Sequence, residues 1–191
     1  MGEEIDVIDP AGFKLRVRLE SVSTERVVGI IVDEQLHRPE PAAHVTIAIA
    51  NLPAPALELV LSRCTEAGAR AFLVFQADRS VARGSKPERW MTICREAAML
   101  AGRLYVPEVT HAPSLDAVLA RSTDPVMLVR GAETPLSALA QPRELTLLVG
   151  PEGGWTDREL ALVERKADLG PRNLRADTAA LVALAVALAS R

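Results

Sequence analysis

The residues best suited to hold a ligand form a glycine-rich loop in the second half of the chain. Residues 150–154 read Gly-Pro-Glu-Gly-Gly, and they follow the apolar run 145–149 directly. Thr156 and Glu159 then have the spacing of a capping box, which marks the start of a helix. Glycine has no Cβ, so a glycine loop between a strand and a helix lets the backbone come close to a ligand. The arrangement predicts a site for a nucleotide-like ligand.

The loop alone is equally compatible with a tight connection between a strand and a helix in an α/β protein. The chain contains neither the Gly-x-x-x-x-Gly-Lys-Ser/Thr pattern nor the Gly-x-Gly-x-x-Gly pattern. The missing phosphate patterns argue against a Walker nucleotidase and against an ordinary dinucleotide-binding dehydrogenase.

A second motif follows at residues 169–178, which read Leu-Gly-Pro-Arg-Asn-Leu-Arg-Ala-Asp-Thr. The two motifs together resemble the C-terminal signature of the RsmE family, SPOUT-type methyltransferases that methylate N3 of a uridine in 16S ribosomal RNA. Shorter matches precede them in family order, with Thr-Glu-Ala-Gly at 65–68, Asp-Arg-Ser at 78–80 and Arg-Trp at 89–90. The resemblance covers about residues 46–190.

The resemblance implies that the two loops wrap S-adenosyl-L-methionine, mostly through backbone groups and apolar walls. Methyl transfer from this cofactor requires the donor and the acceptor to be held in line, and it needs no metal. The candidate cofactor-binding residues are Leu148, Gly150, Pro151, Glu152, Gly153, Gly154, Leu169, Gly170, Asn173 and Leu174.

Arg175 and Asp177 are the candidate catalytic residues. The guanidinium of Arg175 is suited to contact RNA phosphate or to stabilise a developing uracil anion. Asp177 keeps the charge of the glutamate that the family has at this position. The alternative for Arg175 is an ion pair with Asp177 or Glu152 that holds the knot expected for this family.

The resemblance also implies that the chain binds 16S rRNA of the small ribosomal subunit and forms a homodimer with the cofactor pocket at the subunit interface. The formal net charge is −3, so contact with RNA requires basic residues to be concentrated locally. The candidate RNA-binding residues are Arg79, Arg83, Lys86 and Arg103. For the first three, a simply solvated loop is the alternative.

Composition is that of an ordinary globular protein, with 49% apolar and 25% charged residues. Cys64 and Cys94 are predicted to be buried and reduced, and the three histidines lack metal-ligand spacing. The first residues carry no secretory signal, and the apolar segment 179–189 is too short to span a bilayer. We therefore expect a cytoplasmic protein without a metal site or a membrane span.

The N-terminal segment reads as β structure over residues 1–34. Apolar and charged residues alternate from Phe13 to Leu19, which is the period of a half-buried strand. Residues 35–44 contain Pro39 and Pro41 and are interpreted as a linker.

Strand and helix patterns alternate in the remaining segment, residues 45–191. This alternation predicts an α/β fold in which a parallel sheet has helices on both faces. Strands are predicted at 45–50, 71–75, 126–129 and 145–149, and helices at 55–67, 87–101 and 114–120.

The resemblance adds two features that periodicity does not predict. The C-terminal SPOUT domain is expected to carry a trefoil knot, and the first 34 residues are expected to be a truncated PUA-like β segment. Four positions depart from the family pattern, namely Pro53, Leu100, Asn173 and Asp177. These departures leave two alternatives open: a degenerate paralogue that binds RNA or cofactor without turnover, and an active SPOUT enzyme with another RNA target.

Overall fold

The chain folds into two separate sheets. The computed structural model describes residues 2–9, 11–139 and 143–189. The first sheet is antiparallel with strand order β1-β2-β3, and its strands are β1 (Glu4–Ile8), β2 (Phe13–Val22) and β3 (Val27–Leu36). The predicted β structure of the N-terminal segment is confirmed, but β3 continues to Leu36 and therefore enters the predicted linker.

Charged residues of the antiparallel sheet pair across its strands. The alternation along β2 brings Lys14 Nζ to 2.7 Å from Asp6 Oδ2 of β1, and it brings Arg16 to the same carboxylate. Arg18 pairs with Glu4 at 3.0 Å. Cross-strand pairs of opposite charge stabilise a sheet of this kind.

The second sheet has six parallel strands in the order β6-β5-β4-β8-β7-β9. Helices alternate with its strands, as the sequence predicts, and a 3₁₀ turn (Leu136–Ala138) precedes β8. The elements are β4 (His44–Ala50), α1 (Ala54–Glu66), β5 (Ala71–Phe75), α2 (Pro87–Leu100), β6 (Glu108–Ala112), α3 (Leu115–Leu119), β7 (Pro125–Leu128), β8 (Glu144–Val149), α4 (Asp157–Ala161), β9 (Lys166–Ala167) and α5 (Ala176–Ala189).

Helices cover both faces of the parallel sheet, which confirms the predicted layering. Side chains at alternate positions of β4 point to opposite faces, so Ile47 and Ile49 lie in one core while Ala48 lies in the other. The larger core is closed by α1, α2 and α5, and the smaller one by α3 and the segment around α4.

The two cysteines lie in the larger core and form no disulfide, as predicted. Burial raises the pKa of the Cys64 thiol to about 12, and it also raises the pKa of Cys94. Both side chains are therefore ordinary parts of the apolar packing.

The last part of the chain leaves the centre of the sheet and returns to it. Strand β9 pairs with β7 at the edge, and the next residue, Asp168, exchanges backbone hydrogen bonds of 2.9 Å with Thr134 and Leu136. Helix α5 then packs against α1, β4 and β8. This return places residues 169–175 beside the carboxyl ends of β7 and β8; the trefoil knot stays a prediction.

Helix α5 is apolar, but it is shorter than a span requires. Among the residues that the structure describes, no helix combines the length and the hydropathy needed to cross a membrane.

Candidate functional site

A cavity of about 670 Å³ lies between the glycine loop and residues 169–175. It opens where β7 and β8 end, and the carboxyl ends of parallel strands are where α/β sheets bind ligands. Eight of the ten candidate cofactor-binding residues line it: Gly150, Pro151, Glu152, Gly153, Gly154, Leu169, Asn173 and Leu174.

The other two candidates lie outside the lining. Leu148 is fully buried, and its side chain packs in the smaller hydrophobic core. Gly170 has a φ of +102°, and its role in the structure is to turn the chain between Leu169 and the following proline.

Trp155 fixes the glycine loop to the sheet. Its indole Nε1 donates a hydrogen bond of 2.9 Å to Leu128 O, and its ring stacks on Phe75 with a centroid separation of 6.2 Å. A Cβ at Gly150 would stand only 2.8 Å from the indole, so the ring packs directly on the Gly150 backbone. Trp155 also lines the cavity; the sequence signal was an aromatic residue directly after the glycines.

The predicted capping box at the start of α4 is confirmed. Thr156 Oγ1 accepts from Glu159 N at 3.3 Å, and Thr156 N donates to Glu159 Oε2 at 2.9 Å. The Glu159 carboxylate is completely buried, and its other oxygen accepts from Asp78 N at 3.0 Å. This carboxylate therefore joins the start of α4 to the loop after β5.

Arg79 contacts the glycine loop. Its Nη1 donates hydrogen bonds of 3.1 Å to both Gly153 O and Trp155 O. The neighbouring Asp78 forms an ion pair with Arg158 at 2.9 Å. Hydrogen bonding from Arg158, and then from Thr156, lowers the pKa of the Asp78 carboxyl.

The two candidate catalytic residues differ in their access to the cavity. Arg175 lines it, and its side chain is 73% exposed. Its Nε lies 3.9 Å from Asp177 Oδ1, which is a long distance for an ion pair. Asp177 does not line the cavity, and its Oδ1 accepts instead from Thr178 N at 2.8 Å. The guanidinium of Arg175 is thus free to meet a ligand.

Two further arginines line the same cavity and were missed by sequence reasoning. Arg130 follows β7, and Arg172 belongs to the second loop motif. Both are exposed. The position of Arg172 inside the motif is a signal that could have identified it, whereas Arg130 lies far from either motif in sequence.

The four candidate RNA-binding residues occupy different environments. Arg83 and Lys86 are exposed in the loop before α2, and Arg79 is exposed but bound to the glycine loop. Arg103 is wrongly assigned to RNA contact, because its side chain is only 3% exposed. It forms an ion pair of 2.7 Å with Glu40, and it donates to the carbonyl oxygens of Thr65 in the last turn of α1 and of Ala69 after that helix.

The linker between the two sheets is held by this ion pair. Glu40 accepts from Arg103 and also from Leu104 N at 2.9 Å. Nearby, His37 Nε2 donates to Gly102 O at 2.6 Å. The predicted linker is therefore fastened to the turn that follows α2.

Acidic, cysteine and histidine side chains do not assemble into a metal site in the ranges that the structure describes. There, no group of three or more of them is placed to hold an ion.

Comparisons with known proteins agree with this geometry. Residues 38–188 match the family model described as an RNA methyltransferase domain. Ribosomal RNA small subunit methyltransferase E of Bacillus subtilis is 32% identical, in a match that covers 96% of this chain and 80% of the relative. The enzyme of the same name from Synechocystis is 35% identical, in a match that covers 96% of this chain and 65% of that protein.

A solved structure extends the likeness to three dimensions. Ribosomal RNA small subunit methyltransferase E from Neisseria gonorrhoeae, bound to S-adenosyl methionine, superimposes with a TM-score of 0.86 at 25% identity. The match covers 96% of this chain and 81% of that one. The fold and the cavity define an RNA methyltransferase domain of the SPOUT class. Within that class, the chain belongs to the RsmE family, as its two loop motifs predict.

Proposed function

We propose that this protein transfers a methyl group from S-adenosyl-L-methionine to N3 of a uridine in 16S rRNA of the small ribosomal subunit. The observation that carries the proposal is the single cavity shared by both loop motifs, with the exposed guanidinium of Arg175 on its wall. Family membership supports the rRNA substrate.

The cavity fits the cofactor in size and in chemistry. Its volume of about 670 Å³ lies within the range of roughly 300–1,000 Å³ typical of small-molecule sites. Leu169, Leu174 and Ala179 supply apolar wall, and Glu152 supplies a negative charge for a cationic ligand. At Gly154 no atom lies within 4 Å of the position that a Cβ would occupy, so the backbone there is open to a ligand. When bound, the cofactor supplies an electrophilic sulfonium methyl.

We assign Arg175 to contact with the uracil that accepts the methyl group. When the N3 proton passes to solvent, it leaves negative charge on the uracil, and a positioned guanidinium stabilises such charge. Asp177 is in the first turn of helix α5, and its Oδ1 lies 3.9 Å from Arg175 Nε, so we assign Asp177 to orienting that guanidinium. Arg83 and Lys86 are the proposed phosphate contacts, because they are exposed.

The remaining parts of the proposal concern assembly and location. The family resemblance supports a homodimer, for which the expected mass in solution is near twice 20.5 kDa. The proposed substrate supports a cytoplasmic location, where small subunits are assembled.

A second candidate is a family member that binds the cofactor without turnover. It is favoured by Asn173, which lines the cavity in place of the family's isoleucine. Of the other departures, Leu100 is 81% exposed and Pro53 precedes α1, and neither lines the cavity.

Calorimetry and a turnover assay distinguish these candidates. The first measurement titrates the full chain with S-adenosyl-L-methionine, and the second incubates it with small subunits that lack the modification. Binding with a methylated uridine product supports the enzyme, whereas binding without product supports the second candidate. An Arg175→Lys variant that binds the cofactor normally but turns over more slowly would support the role of the guanidinium. Folded protein that does not bind the cofactor would contradict both candidates.

A further inference from the structure

The loop after β5 is fastened to the glycine loop at several points. Asp78 N donates to the buried Glu159 carboxylate at 3.0 Å, and Asp78 Oδ2 accepts from Thr156 Oγ1 at 2.8 Å. Arg158 adds an ion pair with Asp78 at 2.9 Å. These contacts hold the start of α4, while Trp155 packs on Gly150 and Arg79 contacts the loop at Gly153.

Arg79 makes two contacts with the glycine loop that no other described side chain makes. Its Nη1 donates to Gly153 O and to Trp155 O, both at 3.1 Å. The two backbones also lie close together, because a Cβ at Gly153 would stand 3.1 Å from Arg79 Cβ. Gly153 and Gly154 have no side chains of their own with which to limit the conformations of the loop. Arg79 therefore supplies an external restraint.

We infer that Arg79 is a positioning residue for the cofactor site, which keeps the glycine loop in the shape that binds S-adenosyl-L-methionine. The inference rests on the proposed function and replaces the assignment of Arg79 to RNA contact. A loop that is ordered before binding loses less conformational entropy when the ligand enters, so the restraint contributes to affinity.

The other contacts between the loop after β5 and the start of α4 allow the Arg79 side chain to be removed without unfolding the protein. Asp78, Thr156 and Glu159 form their hydrogen bonds independently of the Arg79 side chain. Arg83 is the matched control, because it is an exposed arginine of the same loop and is not among the residues that line the cavity.

The test measures cofactor affinity and RNA dependence in the same variants of the full chain. Calorimetry gives the Kd for S-adenosyl-L-methionine, and turnover at saturating cofactor gives the KM for small subunits. We expect Arg79→Ala to weaken cofactor binding about tenfold, since hydrogen bonds from a charged donor are lost. The KM for small subunits should stay within about twofold, and Arg83→Ala should show the opposite pattern.

Arg79→Lys separates position from charge. Lysine keeps the positive charge but lacks the planar guanidinium that meets both carbonyl oxygens. Partial recovery of cofactor affinity is expected. If Arg79→Ala instead raised the KM for small subunits at unchanged cofactor affinity, and lysine restored it, Arg79 would be an RNA contact and the inference would be wrong.

Amide hydrogen exchange in the ligand-free protein tests the inference without the cofactor. Exchange at residues 152–156 should be faster in Arg79→Ala than in the wild type, while the core strands β4 and β5 should exchange at unchanged rates. Unchanged exchange in the loop, or an equal increase throughout the molecule, would overturn the positioning role. Failure of the wild type to bind the cofactor would instead contradict the proposed function.

Discussion

The two loops that enclose the cavity are held very differently. The glycine loop is fastened by Arg79, by the indole of Trp155 and by the capping box at Thr156. In the second loop, residues 169–174 make no hydrogen bond among the described contacts, although Leu169 packs against the larger core. We therefore expect the wall formed by the glycine loop to keep its shape when a ligand binds, and the wall formed by residues 169–174 to adjust to the ligand.

The difference explains why the fixed wall can carry glycines without becoming disordered. Glycine loses more conformational freedom on folding than any other residue, so a loop rich in glycine needs contacts from outside itself. The second loop contains Pro171, whose ring limits the backbone locally. The glycine loop has a proline as well, Pro151, so the two loops differ in their tertiary contacts rather than in covalent restraint.

Removal of the Trp155 side chain should have the largest effect on the glycine loop. We expect Trp155→Ala to lower the free energy of unfolding by about 3 kcal/mol, because a partly buried indole and its packing on Phe75 are lost. Cofactor binding should be lost with it. Denaturant unfolding and calorimetry measure the two effects. Trp155→Phe keeps a ring but cannot donate to Leu128 O. Its free energy of unfolding and its cofactor affinity should lie between those of Trp155→Ala and the wild type.

A substitution that adds a side chain to the glycine loop should have the next largest effect. A methyl group at Gly153 would stand 3.1 Å from Arg79 Cβ and must push the two backbones apart. We expect Gly153→Ala to weaken binding of S-adenosyl-L-methionine about tenfold. In an Arg79→Gly background the same change should cost much less, because the Cβ that it meets is then absent. If the losses of cofactor affinity were additive in the double variant, Gly153 and Arg79 would act independently of each other.

The ion pair of Asp78 predicts a pH dependence of stability. Because Arg158 lowers the pKa of Asp78 in the folded protein, the contribution of this carboxylate is fully present above its unfolded value, near 3.8. It is lost as the pH falls through the lowered folded value. The stability difference between the wild type and Asp78→Asn should therefore shrink on acidification below about pH 4. A difference that stays constant over this range would exclude the ion pair as its source.

A substitution in the second loop, residues 169–174, should have the smallest effect on cofactor affinity. Pro171→Ala removes a covalent restraint without removing a described contact, so we expect cofactor affinity to fall by only about twofold to fivefold. Pro53→Ala, outside both loops, is the control for general effects of replacing a proline. An effect of Pro171→Ala as large as that of Gly153→Ala would mean that both walls depend on being ordered beforehand.

The sequence predicts the inner strands of the parallel sheet better than its edge strands. Strand β5 was predicted with its observed ends, because five consecutive apolar residues are unambiguous when both faces of a strand are buried. Strands β6 and β9 were missed. The first is a five-residue edge strand that has polar residues on both faces, and the second has two residues and depends on pairing with β7.

The same limit applies to the site. Motif spacing found the two loops, because each motif is local in sequence. The partners of Arg79 and Arg103 lie 74 and 63 residues away, and charge pattern alone does not identify a partner at such a separation. Both arginines were therefore assigned to RNA, whereas in the structure one holds a loop and the other holds the linker.

The fastened linker has a consequence for how an RNA substrate is chosen. His37 and Glu40 bind the turn after α2 through Gly102 and Arg103, so the antiparallel sheet cannot swing freely about residues 37–40. The span from that sheet to the cavity is consequently a fixed length. An RNA that touches both must present its contacted nucleotides at that spacing, and folded RNAs with a different spacing would be rejected even when the target base and its neighbours are the same.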